Sequence, residues 1–150
     1  RAVTLYEESL EIFREIRGNL GIASALHKLG QVAQQRGDYP RAQALLVESL
    51  TLQGQMGNKQ GVAECLAGLA GLAIVRGLHN RAARLLAAAH GLLAAAGVPL
   101  APADRVAYEH AVAAARAYLS ESAWATTWAK GQAMPLEQAI ALALERPASD

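Results

Sequence analysis

Apolar residues recur along this chain at the spacing of an α-helix, with polar residues filling the positions between them. Leu26, Leu29, Val32 and Ala33 share one helical face, as do Leu45, Leu46, Leu50 and Leu52 with Ser49 among them. Gly37-Asp38-Tyr39-Pro40 punctuates the pattern. The glycine ends one helix as a left-handed cap, Asp38 can cap the next, and Pro40 sits in a first turn that needs no donor from it. Gly77-Leu78-His79-Asn80 holds the same place with weaker capping chemistry. The spacing predicts an all-α chain without strands, with helices over residues 1–17, 20–36, 40–56, 60–76, 80–96, 104–119, 121–130 and 135–144.

The same pattern repeats every 40 residues. Gly21, Ala23, Leu26, Leu29, Ala33 and Gly37 line up with Gly61, Ala63, Leu66, Leu69, Ala73 and Gly77. The register continues through Arg41, Ala42, Leu45 and Leu46 against Arg81, Ala82, Leu85 and Leu86. Backward, it sets Arg1, Ala2, Leu5, Glu8, Ser9 and Leu10 against Arg41, Ala42, Leu45, Glu48, Ser49 and Leu50. A two-helix unit thus occurs about two and a half times over residues 1–97. Leu26, Leu29-Gly30, Ala33, Ala42, Leu46 and Ser49 resemble the tetratricopeptide repeat pattern of large and small residues, and Leu66, Leu69-Ala70, Ala73, Ala82, Leu86 and Ala89 repeat it. The resemblance implies an α-solenoid of antiparallel helix pairs that holds protein surfaces. At 40 residues this unit is longer than the family's usual one.

Residues 98–150 depart from the repeat. Val98-Pro99-Leu100-Ala101-Pro102 reads as an extended connector, followed by a helix with Val106, Ala107, Ala111, Val112, Ala115 and Leu119 on its apolar side. Trp124 and Trp128, one turn apart, fit the anchor of a C-terminal helical cap packed on the last repeat, with Leu136, Ala139, Ile140, Ala143 and Leu144 closing it. The tail 146–150 is expected to fray. The segments at 83–89, 102–109, 128–134 and 136–144 resemble the C-terminal end of large bacterial regulators, the LuxR-type and related signal-transducing ATPases. That resemblance implies the interaction or sensing arm of a transcriptional or signalling regulator. From the start at Arg1, inside a helical pattern, the chain is expected to be a piece of a longer protein.

Composition narrows the partners. Aromatic residues are 5% of 150 and hydrophobic residues 53%, so the interior must be built from Ala, Leu, Val and Ile. Fourteen Lys and Arg against thirteen Asp and Glu leave a net charge of +1 without a basic block, which argues against direct nucleic-acid binding. Cys65 stands alone on an apolar helical face, as a buried inert thiol in a reducing cytoplasm would. The apolar run 62–75 is too short to span a bilayer and is interrupted by Glu64.

Catalytic chemistry finds no foothold in the pattern. The glycines of 68–71 lie inside a helical pattern, where close helix packing accounts for them better than a phosphate loop does. His27, His79, His90 and His110 never take a metal-ligand spacing; His79 and His90 would stand about 16 Å apart along one helix. Glu7, Glu8, Glu11 and Glu15 alternate with Arg14 and Arg17 as a solvated stripe. No enzyme activity, cofactor or metal is therefore expected, and an enzyme or metal-binding helical domain remains a remote alternative.

In tetratricopeptide arrays the first helix of each pair lines the concave groove. By that resemblance Ser24, His27, Lys28, Gln31, Gln34 and Gln35 would form one wall, and Glu64, Ala67, Gly68, Gly71, Ile74 and Val75 the other, either open or covered by the C-terminal helices. Leu26, Leu29 and Ala33 would occupy the opposite side of the first wall. His27, Gln31, Glu64 and Gly68 stand where a carboxylate clamp for chaperone tails would need Lys and Asn, which disfavours that ligand. The implied partner is a protein or peptide in the groove, with self-association as the alternative.

Overall fold

Glycines with positive φ punctuate the chain every 20 residues: Gly37 at 80°, Gly57 at 66°, Gly77 at 78° and Gly97 at 67°. After the first three of these, the next amide bonds back to the helix just ended, as Asp38 N–H does to Ala33 O at 2.9 Å and Asn58 N–H to Gln53 O at 3.0 Å. The computed structural model describes residues 2–145. Arg1, placed by the sequence at the start of the first helix, and the tail 146–150 lie outside the described residues.

Seven helices and no strand occur among the described residues: α1 (Ala2–Gln35), α2 (Tyr39–Gln55), α3 (Lys59–Val75), α4 (His79–Ala96), α5 (Pro102–Arg116), α6 (Glu121–Gln132) and α7 (Leu136–Leu144). Asp38 caps α2 through Arg41 N–H, Asn58 caps α3 through Gly61 N–H, and Ser120 caps α6 through Ala123 N–H. Leu78, at the start of α4, offers no side-chain cap.

The helix expected over 104–119 runs instead over Pro102–Arg116, taking in the last residue of the expected connector and leaving Leu119 past its end, and one expected boundary near the start is absent. The helices expected over 1–17 and 20–36 are a single 34-residue helix, α1, about 51 Å long at the helical rise per residue. The repeat explains the difference. Arg17 stands where Gly57 makes its left-handed turn, and Gly18 stands where Asn58 caps the next helix. With both turn signals out of register, the intrahelical hydrogen bonds run on.

From α1 residue 23 onward, α1 to α4 form a tetratricopeptide-like α-solenoid of antiparallel neighbours joined by short turns. Leu46 of α2 is fully buried between two glycines: a Cβ on Gly30 would stand 3.0 Å from its Cγ, and one on Gly68 3.1 Å from its Cδ1. Ser49, also buried, donates to Ala23 O at 2.7 Å and accepts from the Cys65 thiol at 3.4 Å, so one hydroxyl ties α1, α2 and α3 together. Burial pushes the Cys65 thiol up to about 11, which keeps it protonated and inert.

The segments after Gly97 pack against several helices. α5 lies against α3 and α4, α6 against α4, and α7 across α2, α3 and α4. Gly91 and Gly131 allow α4 and α6 to touch backbone to backbone, since a Cβ on either would collide with Gln132 or Ala87. Arg81 is buried and donates to the carbonyls of Ala143 and Glu145, holding the end of α7. Trp124 is buried and stacks on half-buried Trp128 at 5.0 Å between centroids.

Some apolar residues assigned to buried faces are exposed. Leu29 is 49% exposed and Val32 41%, so the side of α1 expected to be occupied is partly open. Val106, Ala107 and Leu144 are exposed as well, because α5 and α7 bury narrower stripes than their apolar patterns imply.

Candidate functional site

The concave faces of α1 and α3 meet α5 around a cavity of about 540 Å³. α1 presents His27, Gln31, Gln34 and Gln35 to it, one helical turn or less apart. α3 presents Glu64, Ala67, Gly68, Gly71 and Val75, and its glycines keep the wall thin. A Cβ on Gly71 would stand 2.9 Å from Gln34 Nε2, so the amide occupies the room that the glycine leaves. Tyr39 adds an aromatic edge at the start of α2.

Ser24, Lys28 and Ile74, also assigned to the groove, do not line this cavity. Ser24 and Lys28 are exposed outside it, and Ile74 packs against the core. Conversely, Leu100, Ala103, Asp104, Ala107, Tyr108 and Ala111 form a third wall that the sequence reading did not place there. The C-terminal segment thus covers part of the groove while leaving space beneath it. The local pattern of α5 marked it as amphipathic but held no sign of which groove its polar edge would meet.

Hydrogen bonds set the cavity's polarity. His27 Nε2 donates to the Glu64 carbonyl at 3.3 Å, and Gln31 Nε2 donates to Asp104 Oδ1 at 3.3 Å, bridging the first wall to the second and third. Tyr108 OH donates to Leu86 O at 3.1 Å and anchors α5 on α4; burial pushes its phenol up to about 12. Burial raises the Glu64 carboxyl above its ordinary range; His27 opposes the shift and the Asp104 carboxylate reinforces it. The cavity is therefore amide-rich, with the Asp104 carboxylate disfavouring a charge on Glu64. Gln34 and Gln35 retain donors and acceptors that can meet a ligand.

The remaining histidines have ring partners elsewhere or lie exposed. His79 stacks on Tyr118 at 3.7 Å, His90 tilts against Trp128 at 5.3 Å, and His110 is exposed. Among the described residues, no three His, Cys, Asp or Glu side chains gather where a metal ion could be held. No described helix is long and apolar enough to cross a membrane.

Residues 1–55 match the family model described as tetratricopeptide repeat. No curated protein and no solved structure matches the chain. The match covers α1 and α2, and the 40-residue register carries the same helix pattern on through α3 and α4. The match and the stacked helix pairs together support a tetratricopeptide repeat protein. Such repeats mediate protein–protein interaction and are in general non-enzymatic scaffolds.

Proposed function

We propose that this chain is a protein-interaction scaffold whose cavity between α1, α3 and α5 receives an extended segment of a partner protein. The observation that carries the proposal is the placement of His27, Gln31, Gln34 and Gln35 along one edge of a 540 Å³ cavity on the concave side. Amide side chains at this spacing pair with a peptide backbone whatever its sequence, and the Ala67, Gly68 and Gly71 wall takes small apolar side chains. Glu64 favours a segment that brings a basic group beside it, because a cation there offsets the burial and the Asp104 charge that disfavour its ionised form. With the other lining groups near neutral, affinity should fall only modestly with salt.

The described residues after Gly97 act in this reading as the closing segment of the array: α5 lies over the groove while α6 packs on α4 and α7 on α2, α3 and α4. The resemblance of the C-terminal segments to LuxR-type and related ATPase regulators supports placing the scaffold as the sensing or assembly arm of a larger bacterial cytoplasmic regulator.

Selection from a displayed peptide library tests the groove. Peptides retained by the wild-type chain should bind about tenfold or more weakly to a Gln31→Ala, Gln34→Ala, Gln35→Ala variant with an unchanged melting temperature. Equal binding by the two proteins would refute the groove assignment.

A further inference from the structure

α5 continues the register of the groove. Asp104, Ala107, Tyr108 and Ala111 of α5 stand 40 positions after Glu64, Ala67, Gly68 and Gly71 of α3, and both sets line the same cavity. α5 therefore holds the place of a third groove-lining helix, but it lacks the support that the other two receive. α1 is packed by the helix that follows it, α2, and α3 by α4. α6, which follows α5, packs on α4 instead and touches it backbone to backbone at Gly91 and Gly131. Of the 15 residues of α5, only Ala115 is buried.

The support that remains is uneven along the helix. Its second half is held: Tyr108 OH donates to Leu86 O, and Ala111 and Val112 pack against the core. The first half is not. From 98 to 107 every residue is exposed except Leu100 and Asp104, which are half-buried and line the cavity. Ala101 offers no side chain to cap the helix start. The polar tie between this stretch and the first wall is the bond from Gln31 Nε2 to Asp104 Oδ1 at 3.3 Å. Exposed first turns without a cap open locally at low cost, so this one bond weighs heavily in keeping them down.

We propose that residues 98–107 form a gate over the groove, latched by Gln31 and Asp104 and pivoting at Tyr108, which opens to admit a partner segment and closes over it. Its consequence for partner binding rests on the groove reading above; the latch itself does not. Because Asp104 and Glu64 line one cavity, a basic side chain entering beside Glu64 competes with the Gln31 amide for the Asp104 carboxylate and releases the latch.

Thiol labelling of the 150-residue protein tests the latch without any partner. Ala67→Cys places a thiol on the α3 wall of the cavity, while the native Cys65 is buried, with its thiol pushed up to about 11, and does not compete. The quantity read is the labelling rate with a bulky maleimide divided by that with a small one, which cancels changes in the thiol's own reactivity. In the Ala67→Cys protein, Gln31→Glu sets two carboxylates against each other and should raise this ratio about tenfold or more. Adding Asp104→Asn restores a donor and an acceptor in reversed order and should return the ratio to its starting value. Asp104→Ala, which removes the acceptor, should raise it as Gln31→Glu does. A ratio that Gln31→Glu and Asp104→Ala leave unchanged, or that the reversed pair fails to bring back, would overturn the gate. So would a starting ratio equal to that of Lys28→Cys, exposed outside the cavity, since the groove would then already stand open. Peptide selection and thiol labelling fail independently: a latched gate over a groove that retains no peptide would refute the groove reading alone.

Discussion

Glu64 shows how one residue links packing to electrostatics. Burial and the neighbouring Asp104 make its folded-state carboxyl hold a proton more tightly than it would in the unfolded chain, and His27 recovers only part of that difference. A raised carboxyl contributes stability that is present below its unfolded pKa and is lost as pH rises through its folded pKa. Glu64→Gln cannot lose a proton and so escapes this loss. The variant is expected to gain stability relative to the wild type as pH rises from about 4, seen as a rightward move of its urea midpoint relative to the parent's. A gap between the two midpoints that stays constant with pH would show that desolvation does not dominate at this site. Arg81 makes the complementary point, because Arg41 holds the same repeat position yet is exposed. Residue type alone does not set burial; α7, which covers Arg81, does.

Among the elements, the helix ends were the most legible features in the sequence, and the reason is local. A glycine at φ 66° and an asparagine that accepts from Gly61 N–H carry the α2–α3 turn within five residues, so no distant contact is needed to read it. Gly57→Ala forces an L-residue into the left-handed region and should lower stability by about 1 kcal/mol. Gly18→Ala should act oppositely, by roughly 0.5–1 kcal/mol, because Gly18 is inside α1 and nothing within 4 Å meets an added Cβ. Chemical denaturation of the two variants checks both signs, and destabilisation by Gly18→Ala would mean that α1 bends there in solution. Near residue 18 the chain holds the right kinds of residue in the wrong register, Gly18-Asn19 falling one position later than Gly57-Asn58 does in the repeat. The α5 wall was illegible for a different reason: Asp104 and Gln31 meet across 73 positions, and no short-range pattern records such a meeting.

Across the whole molecule, stability should be graded, because each helix in a stacked array gains most of its burial from its immediate neighbours. α3 lies against α1, α2, α4, α5 and α7, and α4 against α3, α5, α6 and α7, so their fully buried leucines are shielded on nearly every side. Amides within 62–73 and 82–92 should exchange with solvent only through global unfolding. Residues 7–17 instead belong to a helix end whose Ile12 and Ile16 are exposed, so among its described side chains opening it uncovers little buried apolar surface. Their amides should exchange at least about a hundredfold faster than those of α3 in dilute protein. Hydrogen exchange read by mass spectrometry resolves these segments. Protection of 7–17 that equals that of α3 would mean that the first half of α1 folds back within its own chain, and the straight helix would have to be abandoned.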